Sequence, residues 1–191
     1  QFALQMTRDA IGQKVFPVHR LDKPTSGVMI FALSSEIARL LQEQFQSTIP
    51  ENKGIEKEYL ALVRGWPKQG EWIVDDPLKY HVDKFSEPDT EEDKIQEAET
   101  HFERLQTATI QKPVGRYNSA RYALVKAIPK TGRKHQIRRH LNHCNYPIVG
   151  DVNHGDRHHN HFFTDTFKQT RLDLAATRLS LVHPISLEPL V

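Results

Sequence analysis

The stretch Val18-His19-Arg20-Leu21-Asp22-Lys23-Pro24-Thr25-Ser26-Gly27-Val28-Met29-Ile30-Phe31-Ala32-Leu33 constrains the fold more than any other. Val28 to Leu33 is an apolar run of strand length, made of residue types that suit a buried strand. Ahead of it, Lys23-Pro24-Thr25-Ser26-Gly27 is turn chemistry: Pro24 fixes its own φ, and Gly27 admits a φ that other residues reach only at a cost. Asp22 stands before the turn between Arg20 and Lys23, with His19 further back. A carboxylate on a tight loop at the entrance to a core strand is placed to act as a nucleophile or a base. The same residues also fit an ordinary turn cap with solvated neighbours.

The 191 residues suit one domain, 1–191, with a sizeable core. The chain starts at Gln1 and stops at the apolar Pro189-Leu190-Val191, so trimming at both ends is expected. Cys144 is the only cysteine, which excludes an internal disulfide and fits a reducing, cytoplasmic compartment. With no apolar run of about 18 residues, nothing argues for a membrane span.

The net charge of +2 conceals an asymmetry. Asp83 to Thr100 holds eight acids against Lys84 and Lys94, which predicts a solvated, mobile surface loop. Without it, 24 basic and 16 acidic residues remain, a balance of +8. The body of the protein therefore suits a polyanionic partner.

Phe2, Met6 and Ala10 lie four apart, predicting a short helix ended by Gly12. Ser34 or Ser35 can cap a second helix running to about Gln46, with Ile37, Leu40, Leu41, Gln44 and Phe45 along one face. Lys57 to Gly65 alternates as a strand, with Tyr59, Ala61 and Val63 on one side. Trp66 to Pro77, punctuated by Pro and Gly, predicts a short hairpin. Glu99 to Thr109 and Ala120 to Ile128 predict two further strands.

Pro129 to His143 carries five Lys or Arg, three His and no acid. A helix beginning just after Gly132 puts Ile137, Leu141 and Cys144 on a packing face and His135, Arg138, Arg139 and Asn142 on the other. Cations beside a helix N-terminus suit phosphate oxygens. Further on, the histidines between His154 and His161, with Asp151 and Asp156, invite a metal reading, but their spacing follows no common ligand frame.

Three motifs in order carry a resemblance across nearly the whole chain. His19-Arg20-Leu21-Asp22 with Thr25-Ser26-Gly27, then Lys57-Glu58-Tyr59-Leu60-Ala61, then Thr131-Gly132-Arg133-Lys134-His135-Gln136-Ile137-Arg138 together resemble the RluA-type pseudouridine synthases. Gly65-Trp66, Gly115-Arg116-Tyr117 and Asn153-His154-Gly155-Asp156 bring the chain nearest to that family's tRNA-specific branch. The resemblance implies an α+β fold, with a mixed, mostly antiparallel sheet, a central cleft and flanking helices. It implies isomerisation of a tRNA uridine, at position 65, to pseudouridine, with no cofactor or metal and no obligatory protein partner. It assigns Asp22 as the catalytic carboxylate, Tyr59 as the residue stacking on the base, and Arg138 as the partner of the Asp. His19, Arg20, Arg133, Lys134, His135, Gln136 and Arg139 become RNA contacts. A ribosomal-RNA synthase of the same family and a non-catalytic RNA-binding module are the alternatives.

Overall fold

Only part of the apolar run after Gly27 is strand. In the computed structural model, which describes residues 2–46, 55–80 and 94–191, only Phe31–Ala32 within it lies in a strand. The chain divides into two compact units, Gln1–Lys57 with Ala176–Val191 and Glu58–Ala175.

The first unit opens with α1 (Ala3–Ile11), ended as expected by Gly12 in the left-handed region, whose N–H donates to the Arg8 carbonyl at 2.9 Å. Then come β1 (Phe16–Pro17), β2 (Ser26–Gly27) and β3 (Phe31–Ala32). β1 and β3 pair antiparallel, with Phe16 opposite Ala32. This corrects the single strand expected over Val28–Leu33. The Ile30 N–H, which a neighbouring strand would take, donates instead to His19 Nε2 at 3.0 Å, and Val28 and Leu33 are exposed. α2 (Ser35–Gln46) follows, capped by Ser34, whose hydroxyl accepts from the Ile37 N–H at 3.2 Å. Ala38 and Leu41 of α2 pack with Val18, Ala32 and Leu181 as this unit's core.

The second unit begins within β4 (Glu56–Arg64), which stops at Gly65 with φ +93°, as its sequence predicts. The next strand, β5 (Glu71–Asp75), pairs with a distant partner rather than forming the hairpin expected over 66–77. Pro67 offers no N–H for a first arm, and the Trp66 indole donates to the Ala108 carbonyl at 3.0 Å. β6 (Leu78–Lys79) pairs with β7 (Ile95–Gln96). Residues 83–93 of the expected acidic loop lie outside the described residues. The long β8 (Glu99–Ile110) and β9 (Ala120–Pro129) form a hairpin. The ladder β4-β9-β8-β5 is antiparallel throughout.

Two helices complete this unit, α3 (Gln136–His143) and α4 (Arg157–Phe167). α3 starts later than the sequence predicts, because His135 sits in the left-handed region at φ 56° and interrupts the helical path. Ile137 and Leu141 pack against Ala61, Val63, Val125 and Ala127, and Cys144 lies at the margin of that cluster. β10 (Leu174–Val182) begins here and ends in the first unit, where it pairs with β11 (Pro189–Leu190) and β2. There Gly27, at φ +120°, lies so close to Ala176 that a Cβ would overlap the Ala176 carbonyl oxygen. Among the described residues no helix is long and apolar enough to cross a membrane.

Candidate active site

Asp22 is half-buried at the head of a four-residue turn, closed by the Thr25 N–H donating to the Asp22 carbonyl at 2.8 Å. Lys23 and Pro24 fill the middle of that turn and face solvent, and Arg20 is also exposed. His19 is a structural residue here. Its ring stacks on Phe45 at 4.6 Å, and its Nε2 accepts from Ile30. Burial, helped by the nearby charge of Lys57, pushes the His19 pKa below its ordinary value, which suits a neutral acceptor nitrogen.

In the second unit Tyr59 lies on β4 opposite Ala127, half-buried against the cluster that holds Ile137 and Leu141. Strand alternation puts it on the side of Ala61 and Val63, both fully buried, so its ring is anchored from the core outward.

Arg138, placed by helical spacing opposite the packing face, is nonetheless buried. It is 3% exposed and meets Asp151, 1% exposed, through two parallel bonds, Nε to Oδ2 at 2.7 Å and Nη2 to Oδ1 at 2.8 Å. Asp151 also accepts the backbone N–H of Asn153 and of His154, each at 3.0 Å. Burial alone would raise the Asp151 pKa. The Arg138 bond and charge and the two backbone donors outweigh it and hold the carboxyl below its ordinary value. Asn160 ties the loop down, accepting from the Gly150 N–H and donating to the Asp151 carbonyl, both at 2.8 Å. The pair takes two of the five N–H donors of the guanidinium, so its plane is fixed by protein.

The other expected RNA contacts divide. Gln136 is buried and bonded on both ends: its Oε1 accepts from Thr131 Oγ1 and the Arg133 N–H, and its Nε2 donates to the Glu99 carbonyl and Thr100 Oγ1. It fixes the start of α3 to β8 rather than facing a ligand. Arg133 Nε donates to the Glu97 carbonyl and Arg139 Nη1 to the Lys79 carbonyl, both at 3.0 Å. His135 Nδ1 and His154 Nε2 lie within hydrogen-bond distance, 3.0 Å. Lys134 is exposed.

The histidine-rich stretch is dispersed by α4. Asp156 caps that helix through the His158 and His159 N–H groups and pairs with Arg64 at 3.2 Å. His159 turns inward to the Tyr122 hydroxyl at 2.8 Å. Among the described residues no three His, Cys, Asp or Glu side chains group to hold a metal. Sequence reasoning weighed Asp151 only as a metal ligand and missed its role. A signal was present, since Asp151 is the first acid after Glu103 and comes one glycine after the apolar Ile148-Val149, both buried.

A family model described as RNA pseudouridylate synthase matches residues 1–143, and the chain belongs to that family of isomerases. It is 50% identical over 189 residues to the tRNA pseudouridine synthase C of Haemophilus influenzae, covering 98% of this chain and 77% of that protein. Over 192 residues it is 45% identical to the protein of the same name from Vibrio cholerae, covering 100% and 76%. Among solved structures, human RNA Pseudouridylate Synthase Domain Containing 4 superposes with a TM-score of 0.66 at 27% identity, over 98% of this chain and 73% of that one. Human RNA Pseudouridylate Synthase Domain Containing 1 shares the fold with a TM-score of 0.74 at 21% identity, over 97% and 70%.

Proposed function

We propose that residues 1–191 act as one catalytic domain that converts a uridine of tRNA, at position 65, to pseudouridine in the cytoplasm. The observation that carries this reading is the 45–50% identity, over nearly the whole chain, to relatives named tRNA pseudouridine synthase C. In the reaction the bond from uracil N1 to ribose C1′ breaks and a bond from C5 to C1′ forms. The proton on C5 leaves to solvent and N1 takes one up, so the change is an isomerisation without net oxidation.

A uridine in a stem must leave the stack first, at a cost of a few kcal/mol. Arg20, exposed beside the Asp22 turn, is suited to fill the vacated place. Asp22 either attacks C1′ or removes a sugar proton. Tyr59 stacks on the uracil and assists loss of the C5 proton. Arg138 keeps the reactive carboxylate ionised, the role its counterpart has in the family. Its support by Asp151 fits that task, because a guanidinium held in one plane offers its remaining donors in a fixed direction.

The test is tritium release from 5-tritiated uridine, with tRNA and ribosomal RNA fragments assayed side by side. Release from tRNA, with pseudouridine mapped to position 65, is the expected result. Release from ribosomal RNA alone would transfer the activity to that substrate, and binding without release would make the protein a non-catalytic RNA-binding module.

A further inference from the structure

The hairpin of β8 and β9 carries a surface that the catalytic assignment leaves unused. From Arg104 to Gly150 the chain has ten Lys or Arg and no acid. Several of the exposed cations among them collect at the loop end of this hairpin. Arg121 lies over the ring of Trp66, 4.8 Å from its centroid, and that ring is held in place by the indole bond to Ala108. In the connecting loop, Arg116 lies over Tyr117 at 5.0 Å and donates to its hydroxyl at 2.9 Å. Lys112 is exposed in the same loop. Gly115 sits against the ring of His158, which brings the exposed first turn of α4, with Arg157, alongside. Asp156, at that helix start, is already committed to Arg64 and to the cap.

Two large aromatic rings remain exposed here, Trp66 at 38% and Tyr117 at 53%, each with a guanidinium stacked on it. That arrangement suits nucleic acid. Stacked guanidinium groups present N–H edges to phosphate oxygens, and the rings offer faces to bases. The side chains are already oriented, so little freedom is lost on binding.

Position along the strands separates this surface from the target base. Tyr59 pairs with Ala127 and Arg64 with Tyr122, so Trp66 and Arg121 stand at the opposite end of the β4–β9 ladder from Tyr59. Six or seven residues at about 3.3 Å each put the two ends about 20 Å apart, beyond the reach of a single nucleotide. We propose that the Trp66–Arg121 and Arg116–Tyr117 pairs, with Lys112 and Arg157, form a second RNA-contact surface that grips the folded tRNA away from the modified uridine. This rests on the tRNA reading above.

The experiment compares the wild type with an Arg116→Gln/Arg121→Gln double variant and an Arg116→Glu/Arg121→Glu double variant. Both changed side chains are exposed, and a thermal melt checks that each variant folds. Affinity is measured for full-length tRNA and for a minimal hairpin of the stem that holds the uridine. The neutral variant is expected to bind full-length tRNA at least tenfold more weakly. Its slope of log K against log salt should be smaller by about 2, the loss of two phosphate contacts. The reversed variant should bind more weakly still. Binding of the minimal hairpin and the single-turnover rate at saturating tRNA should not change. Unchanged affinity for full-length tRNA overturns the proposal, and so does an equal loss on both RNAs, which would place the surface at the target itself. A wild type that releases no tritium from tRNA defeats the catalytic reading instead, and the binding comparison still decides this one.

Discussion

The turn that carries Asp22 and the loop that carries Asp151 support a carboxylate in opposite ways. Asp22 sits half-exposed on a four-residue turn closed by one backbone bond, between strands only two residues long. Asp151 is buried, accepts four donors, and stands next to long strands and two helices. A reacting group gains from being reachable, while a group that orients another gains from being unable to move. The contrast predicts that changing the first carboxylate spares the fold and that changing the second does not.

The sharpest way to break that contrast is Asp22→Asn. Tritium release from tRNA should drop to background while stability in urea changes by about 1 kcal/mol or less, as for a change away from the core. Substantial residual turnover would remove Asp22 from the chemistry, and a large loss of stability would make it structural. Asp151→Asn should do the reverse. Breaking the buried Arg138–Asp151 ion pair should cost about 3–5 kcal/mol in urea denaturation, and Arg138→Met should cost a similar amount from the other side. Turnover should fall as well. A variant as stable as the wild type would mean that the pair carries little of the loop.

Acid should produce the smallest effect and sharpen the comparison further. Burial lowers the pKa of His19 in the first unit and of His140 and His159 in the second. Below about pH 6.5 the unfolded chain takes up protons that the folded chain refuses. Stability from these groups is therefore complete above that pH and is lost as pH falls through their lowered folded values. The share from Asp151, also held low, is complete above about pH 4 and is lost only at lower pH. Urea midpoints at pH 7.5, 6 and 5 should fall in that order, with a shallower fall for His140→Gln. Equal midpoints would contradict this assignment.

Local chemistry made much of the fold legible. Gly12, Ser34 and Gly65 end or begin their elements where turn and cap preferences put them, and the alternation of β4, β8 and β9 marks their spans. Features set by distant partners were harder to read. The break between β2 and β3 depends on His19 and on Ala176, and β5 depends on β8, none of them neighbours in the sequence. The late start of α3 follows from the left-handed turn at His135, beside which Gln136 bonds to β8. At the site, residue types marked Asp22, Tyr59 and Arg138 through a resemblance. That Arg138 is buried, and pairs with Asp151, depended on a chain reversal that helical periodicity does not encode.

The coupling of Arg138 to Asp151 also shapes the field that this part of the protein casts into solvent. Opposite charges under 3 Å apart appear from a distance as a dipole without net charge, and a dipole's field fades faster than that of a lone ion. The pair therefore holds the guanidinium in one orientation while adding little long-range pull. On the tRNA reading, capture of the polyanion and its sensitivity to ionic strength come from exposed cations elsewhere, such as Lys112, Arg116 and Arg121 of the β8–β9 hairpin.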